Sequence, residues 1–408
     1  MQNLSERKKI LFLSGIDFKE KSIQVIRKTP EYYASSGWNV DYIVARDNDA
    51  GGNYSYEKEI NPEGVNVSRF YWPITKFRQM SNRYLKLIFS KIASLMVIFA
   101  LALQGYKKIK SGNYDVVYGY ELHGVLALTL IKPFLKNEKI VTRFQGTFLN
   151  EMLENKQWLR LLFNADLILA LKVKSDLTIM TDDGTEGDKA LKKIRGIDNL
   201  GNIKFWTNGV NVIEHSKWPD LSKDKIKIVS ISRLVGWKRV DRCIKVVEQL
   251  VANGFTDFEY EIIGGGGLKE KLEQMVKSLS LEPYVKFSGA LPHHEAVNRL
   301  KESQIFFSMY DSSNVGNPLL EAIRANKIIV TLNNGDTGSW IKHQINGLIY
   351  NPNDDFFEQA AQDIQNLVHN DMLREGMLKE LNNTELKKLS TWCERLKNEE
   401  CAVLELFN

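Results

Sequence analysis

Short apolar runs recur along the chain, each followed by a polar turn and then by a stretch of helical periodicity. The first run, residues 9–14, ends at Gly15 and reads as a strand buried on both faces. A helical stretch over 24–35 follows and stops at Gly37. Further strands are expected at 39–45, 65–70, 114–119, 139–144 and 176–181. A second, independent series falls at 225–232, 258–263, 284–288, 304–309, 327–332 and 347–350. Strands that alternate with helices predict parallel sheets covered on both faces. A length of 408 residues is also more than one core usually holds. The fold class expected is therefore α/β, with two doubly wound, Rossmann-like domains facing across a cleft. Their expected limits are 1–210 and 211–382, joined through the polar stretch 211–223. Residues 383–408 are expected as a closing helix, because Leu386, Leu389, Trp392, Leu396 and Leu404 recur on one face. That helix would pack back on the body of the protein, the N-terminal domain included. Ligands of such sheets sit beyond the carboxyl ends of the strands.

Composition narrows the class. With 43% hydrophobic and 26% charged residues the chain reads as a soluble globular protein. A net charge of +5 permits contact with phosphates or an anionic membrane and calls for no nucleic acid. Three cysteines without disulfide or zinc spacing point to a reducing compartment. The first apolar run is too short for a secretory signal core, so a cytoplasmic location is expected. Residues 74–110 contain many Lys and Arg and no acidic residue, and they enclose an apolar run at 92–103. That run of about 12 residues falls short of the ~20 needed to span a bilayer. Two readings stay open for it. One is a core helix with basic flanks. The other is a helix that docks on an anionic membrane, at the inner face of the plasma membrane, to reach a lipid-linked acceptor.

The chemistry concentrates between Lys225 and Ala325. Arg233 stands at the carboxyl end of a predicted strand, and Lys238 lies just before a helix that starts near Asp241. Fixed cations there would stabilise the charge a nucleoside diphosphate gains as it leaves. Arginine can grip two phosphate oxygens, and lysine acts as a point charge. Spacing alone fits two surface cations beside a helix start equally well. The run Gly264 to Gly267 joins a strand to a helix, where backbone N–H groups can approach an anion. It matches neither a dinucleotide fingerprint nor a P-loop, and a plain flexible turn is its alternative. Gly316, Asn317 and Pro318 read as a helix start with Asn317 as N-cap and Pro318 at the first helical position. Glu321, one turn in, is placed to accept ribose hydroxyls; alone it would only complement the helix dipole. Asp47-Asn48-Asp49 fits a metal-holding Asp-x-Asp pattern, which chance easily explains, and no metal or other cofactor is expected. Asp182-Asp183-Gly184-Thr185 reads as a turn into a helix.

In order and spacing, Val229 to Leu234 with Lys238 and Asp241, Ile263 to Gly266, Phe287 to Gly289, Gly316 to Ala322 and Asn346 to Leu348 resemble the C-terminal half of family 4 glycosyltransferases. Thr207 to Asn211 is similar to the segment these enzymes carry before their interdomain linker. Those are retaining enzymes of the GT-B fold. The resemblance implies that Arg233 and Lys238 bind the donor diphosphate and that Glu321 binds the ribose. The family's usual second glutamate, eight residues before that one, is replaced by Ser313. Ser313, Asn314 or Asp311 would then take the sugar contact. In the N-terminal half the resemblance is looser. Tyr120, Glu121 and His123 follow a strand end where the family often has a histidine, and Gln145 stands where another histidine is common. His123 and Glu121 are the catalytic candidates of this half, with Gln145 and Tyr120 on the acceptor side. A lone His123 is equally well a structural residue. Gly15 is placed on topology alone, for backbone approach to the donor phosphates or to the acceptor.

The function implied is retaining, metal-independent transfer of a sugar from a nucleotide donor, UDP-linked, to a glycan or lipid-linked acceptor, in cell-surface polysaccharide or glycolipid assembly. Two other readings remain at this level. One is a GT-B epimerase or phosphorylase, although no pyridoxal-phosphate lysine signature is present. The other is a nucleotide-sugar-binding subunit without activity, which the Ser313 replacement would suit.

Overall fold

The computed structural model describes residues 7–19, 25–47, 59–72, 82–213, 218 and 224–408. The chain divides into two compact units. The first comprises residues 1–182, 186–207 and 393–408; the second comprises 183–185 and 208–392.

Among the described residues the first unit holds seven strands: β1 Lys9–Ser14, β2 Asn39–Arg46, β3 Val65–Tyr71, β4 Val116–Tyr120, β5 Lys139–Phe144, β6 Leu177–Thr181 and β7 Ile203–Trp206. They pair in parallel in the order β3-β2-β1-β4-β5-β6-β7. The central strands β1 and β4 are buried almost throughout, which is why they appear in the sequence as mostly apolar runs. Strand β7 escapes that signature because it is a half-buried edge strand containing a lysine. The strand expected at 114–119 begins two residues later, at Val116, and ends one later, at Tyr120.

The second unit holds six strands: β8 Ile226–Ile231, β9 Phe258–Ile263, β10 Val285–Gly289, β11 Ile305–Ser308, β12 Ile328–Leu332 and β13 Leu348–Tyr350. Their order is β10-β9-β8-β11-β12-β13, again all parallel. One face of this sheet carries the larger core, with Ile228, Ile244, Val247, Tyr260, Phe307 and Ile364. The other face packs Val229, Phe306, Leu320 and Ile329.

Strand order turns back between β1 and β4 in one sheet and between β8 and β11 in the other. At such a switch the loops on either side leave in opposite directions and open a crevice beyond the carboxyl ends.

The stretch 383–406 is not one helix. A helix ends at Thr384, a short turn covers Leu386–Lys388, and a new helix runs Trp392–Leu404. Leu389 keeps its place in the apolar spacing across the break, but its backbone is extended (φ −85°, ψ 124°). In the last helix Glu399 is fully buried. It accepts hydrogen bonds from Tyr118 Oη at 2.7 Å and Arg395 at 3.0 Å, and it pairs with Arg143. This ties the C-terminal helix to β4 and β5.

Candidate functional site

At the β8–β11 switch, Arg233 follows β8 by two residues and is exposed. Among the described residues its side chain makes no hydrogen bond or ion pair, while its backbone carbonyl accepts the Val235 N–H at 3.0 Å. Lys238 closes the short turn Gly236–Lys238 that precedes the helix Val240–Ala252. Its Nζ lies 3.4 Å from the ring centre of Tyr310 and 4.0 Å from that of Trp237. Burial, with the Arg233 guanidinium nearby, pulls the Lys238 ammonium down to about 7, and Asp183 opposes that fall. The structure therefore brings the two predicted cations together. It adds Trp237, Tyr310 and Asp183, none of which was singled out from sequence as a site residue. Asp183 comes from a segment 55 positions upstream of Lys238, far outside any local motif.

The glycine run has a structural duty. Gly264 (φ +149°) lies so close to the preceding loop that a Cβ would stand 1.8 Å from the Ser232 carbonyl oxygen. Gly266 (φ +158°) would meet the Leu234 carbonyl oxygen at 2.3 Å. The Leu234 N–H donates to the Gly265 carbonyl at 2.9 Å, and the Gly264 N–H donates to Gly289 at 2.8 Å. These glycines hold the Arg233 loop flat against the end of β9. The Gly264 N–H, expected to face an anion, is already engaged.

After β11 the loop 310–316 is pinned from below. Asn314 is buried; its side chain accepts from the Tyr310 N–H at 3.0 Å and donates to the Leu332 carbonyl at 3.1 Å. This corrects the expectation of an outward sugar contact, because both ends of the amide are engaged internally. Asp311 is likewise engaged, by Arg239 at 3.0 Å and Arg242 at 2.9 Å. Ser313 Oγ accepts the Val315 N–H at 3.0 Å. It also lies against the 183–185 turn: a Cβ on Gly184 would come 1.9 Å from it. That crowding gives a physical reason for a small side chain at this position.

The helix Asn317–Arg324 begins one residue earlier than expected. Gly316 is the extended N-cap residue (φ −147°), and Asn317 instead accepts from Asn208 Nδ2 at 2.7 Å. Glu321 is 7% exposed and meets His293 Nε2 at 2.8 Å. His293 opens a helix after β10 and was missed from sequence because nothing local links it to Glu321.

In the first unit the candidates cluster beyond β1 and β4. Glu121 takes a left-handed backbone (φ 56°), and its Oε1 accepts the Gln145 N–H at 2.5 Å. Such a conformation in a non-glycine residue costs about 1–3 kcal/mol and persists only where the surroundings enforce it. The Gln145 side chain bonds Tyr120 Oη, and Tyr120 is buried, which raises its phenol above the usual range. His123 Nε2 pairs with Ser94 Oγ at 2.9 Å. Its ring covers Gly15, where a Cβ would come 2.5 Å from Cγ. Gly15 thus makes room for the His123 ring.

Among the described residues no group of three or more His, Cys, Asp or Glu side chains is placed to hold a metal ion. Asp47 is buried at the end of β2, and Asn48 and Asp49 lie outside the described residues.

Residues 212–383 match the family model of glycosyl transferases group 1. The 2-deoxystreptamine N-acetyl-D-glucosaminyltransferase of Niallia circulans is 20% identical over 277 residues, 66% of this chain and 70% of that one. Sucrose-phosphate synthase from Thermosynechococcus elongatus superposes with a TM-score of 0.69 at 15% identity, over 98% of this chain and 99% of its own. Anabaena HepE in complex with UDP and glucose gives 0.67 at 16% identity, over 98% and 100%. Residues 212–383 are thus similar to a glycosyl transferases group 1 domain, and the two parallel sheets have the GT-B fold.

Proposed function

We propose that this protein is a retaining glycosyltransferase that moves a sugar from a UDP-linked donor to a glycan or lipid-linked acceptor without a metal ion. The observation that carries this reading is the pair Arg233 and Lys238, set beyond the carboxyl end of β8 at a switch point within the matched domain. Arg233 has no protein partner among the described residues, and Lys238 is held under two aromatic rings. The Lys238 ammonium is disfavoured first by burial and then by repulsion from the neighbouring, exposed Arg233 guanidinium. A diphosphate would relieve that repulsion, and its growing charge on departure is what such a pair stabilises most.

In this mechanism the acceptor hydroxyl oxygen bonds to the anomeric carbon on the face the diphosphate leaves. The carbon–oxygen bond to the phosphate breaks, its electron pair goes to that oxygen, and the departing phosphate takes the acceptor proton. Glu321, steadied by His293, accepts the ribose hydroxyls. The loop at Ser313 and Gly316 faces the sugar, and the Gly264–Gly266 segment supports the nucleotide side. The acceptor is taken by the first unit near Gly15, Glu121, His123, Tyr120 and Gln145. The setting proposed is cytoplasmic assembly of cell-surface polysaccharide or glycolipid. HepE is named as a complex with UDP and glucose, which supports a UDP-sugar as the donor class.

Thermal unfolding with UDP-, GDP- and ADP-sugars tests the proposal. A true donor at about 100 times its Kd stabilises by ~2.7 kcal/mol. The absence of a shift with every sugar nucleotide would overturn the reading. Donor hydrolysis that Arg233→Ala abolishes would exclude an inactive binding subunit.

A further inference from the structure

We propose that the first unit carries a docking surface for an anionic lipid bilayer, built from the helix Arg83–Ser111 and the short helix Trp158–Phe163. The long helix is a fixed part of its unit: Val97, Ile98 and Leu101 are buried in one core with residues of β1, β2 and the helix Glu121–Ile131. It is therefore not available to cross a membrane, although an 18-residue window within Leu85–Ser111 is apolar enough, with a mean hydropathy of 2.0.

Its outer face is the anomaly. Ile88, Ile92, Leu95, Phe99 and Leu103 are 45–61% exposed. Steps of three and four residues align them in one stripe, on the side where a water-facing helix carries polar groups. The short helix repeats the pattern. Trp158, Leu159 and Leu162 are 69%, 85% and 74% exposed, and Leu161 alone is buried. The two helices meet along a groove of about 470 Å³ lined by Leu95, Ile98, Leu159, Leu162 and Phe163. Lys91 fastens the groove, 2.7 Å from Asp166 and 4.8 Å from the Phe163 ring centre. An apolar surface spread over two fastened helices exceeds what scattered exposed residues account for.

The charges select the occupant. The helix Arg83–Ser111 contains no acidic residue, and Lys86, Lys107 and Lys110 are exposed on it. Arg160 is exposed between Leu159 and Leu162. Apolar side chains with a tryptophan, flanked by cations, match the boundary between acyl chains and anionic headgroups. A second copy of this chain fits poorly. A two-fold interface sets each patch against itself and would bring these cations face to face.

Lipid binding does not depend on the donor site, so the two readings fail separately. The test is co-sedimentation of the full chain with phosphatidylcholine vesicles, with and without phosphatidylglycerol, at low and high salt. Binding is expected with phosphatidylglycerol at low salt and should weaken at high salt. Leu159→Glu with Leu162→Glu should cut the bound fraction at least about tenfold. The unfolding midpoint and the donor-induced shift should stay unchanged, since both side chains face solvent. Phe99→Ser on the other helix should act in the same direction. Absence of binding at low salt would overturn the proposal, as would wild-type binding by the double variant. So would a wild-type dimer that the double variant turns into a monomer, because the occupant would then be a second copy.

Discussion

The two units place polar side chains at the same topological position, beyond the carboxyl ends of the strands on either side of a switch, but use them in opposite ways. In the first unit the polar groups there have protein partners: Glu121 and Tyr120 with Gln145, and His123 with Ser94. Beneath them Glu399 binds Tyr118, Arg143 and Arg395 in a fully buried cluster. In the second unit Arg233 has no protein partner among the described residues, and Lys238 has ring faces in place of an anion. A charge with its partners already in place holds a fold together. A buried charge set without one, as at Lys238, is a loss to the fold that a ligand can recover, whereas the exposed Arg233 stays hydrated until an anion arrives. The contrast sorts structural from functional charge by what faces each group, independently of any motif.

One pair of substitutions tests this sorting most severely. Glu399→Ala leaves two arginines buried without their counter-ion, and a loss of about 3–5 kcal/mol is expected in urea unfolding. Arg233→Ala should change stability by no more than about 0.5 kcal/mol. Its kcat/KM should nevertheless fall about 10²–10³-fold, as for the loss of one group that stabilises a leaving charge. The opposite outcome, an unstable Arg233 variant and a stable Glu399 variant, would reverse the assignment of the two units.

A second pair sharpens the comparison within the second unit. Gly264→Ala forces a Cβ to 1.8 Å from the Ser232 carbonyl oxygen at φ +149°. Backbone strain alone should cost about 1–3 kcal/mol, and the displaced Arg233 loop should raise the donor KM. Gly267→Ala meets nothing within 4 Å and should stay within about 0.5 kcal/mol of wild type. Equal effects would show that the run is needed for flexibility and not for close approach.

The parts legible in the sequence are those whose cause is local. Central strands such as β1 and β4 are buried on both faces and so appear as mostly apolar runs. The edge strand β7 has neither the length nor the burial to leave that trace. The break at Leu389 is hidden because the spacing of leucines continues across it. Arg233, Lys238 and Glu321 stand out as candidates in the sequence because loop-to-helix junctions mark them by local pattern. Asp183, His293 and Tyr310 reach these residues only through the tertiary fold. Asn314 shows the converse failure: a polar residue in a promising loop has its amide bonded on both sides inside the protein. Glu399 sits in a helix whose spacing reads as amphipathic, and only its partners in β4 and β5 disclose that it is buried.

The titration of Lys238 bears most directly on how the second unit holds its charge. Lys238 titrates near 7 in the free protein, against a usual value of about 10.4 in an unfolded chain. Between those two values the unfolded state binds the additional proton, so stability should rise with pH across that window. Below about 7 both states are protonated, and the cost of burying the cation is present in full. Lys238→Met removes the titrating group. It should flatten the stability slope and raise the unfolding midpoint at neutral pH and below, while activity is lost. Donor affinity should move the other way. A bound diphosphate favours the charged lysine and raises its pKa, so binding takes up a proton above about 7. The donor Kd should then grow by up to about tenfold per pH unit on the alkaline side. Isothermal titration in buffers of different ionisation enthalpy measures that proton directly. A Kd independent of pH, together with a methionine variant no more stable than wild type, would mean that Lys238 remains solvated and charged. The two units would then differ in their motifs but not in how they carry charge.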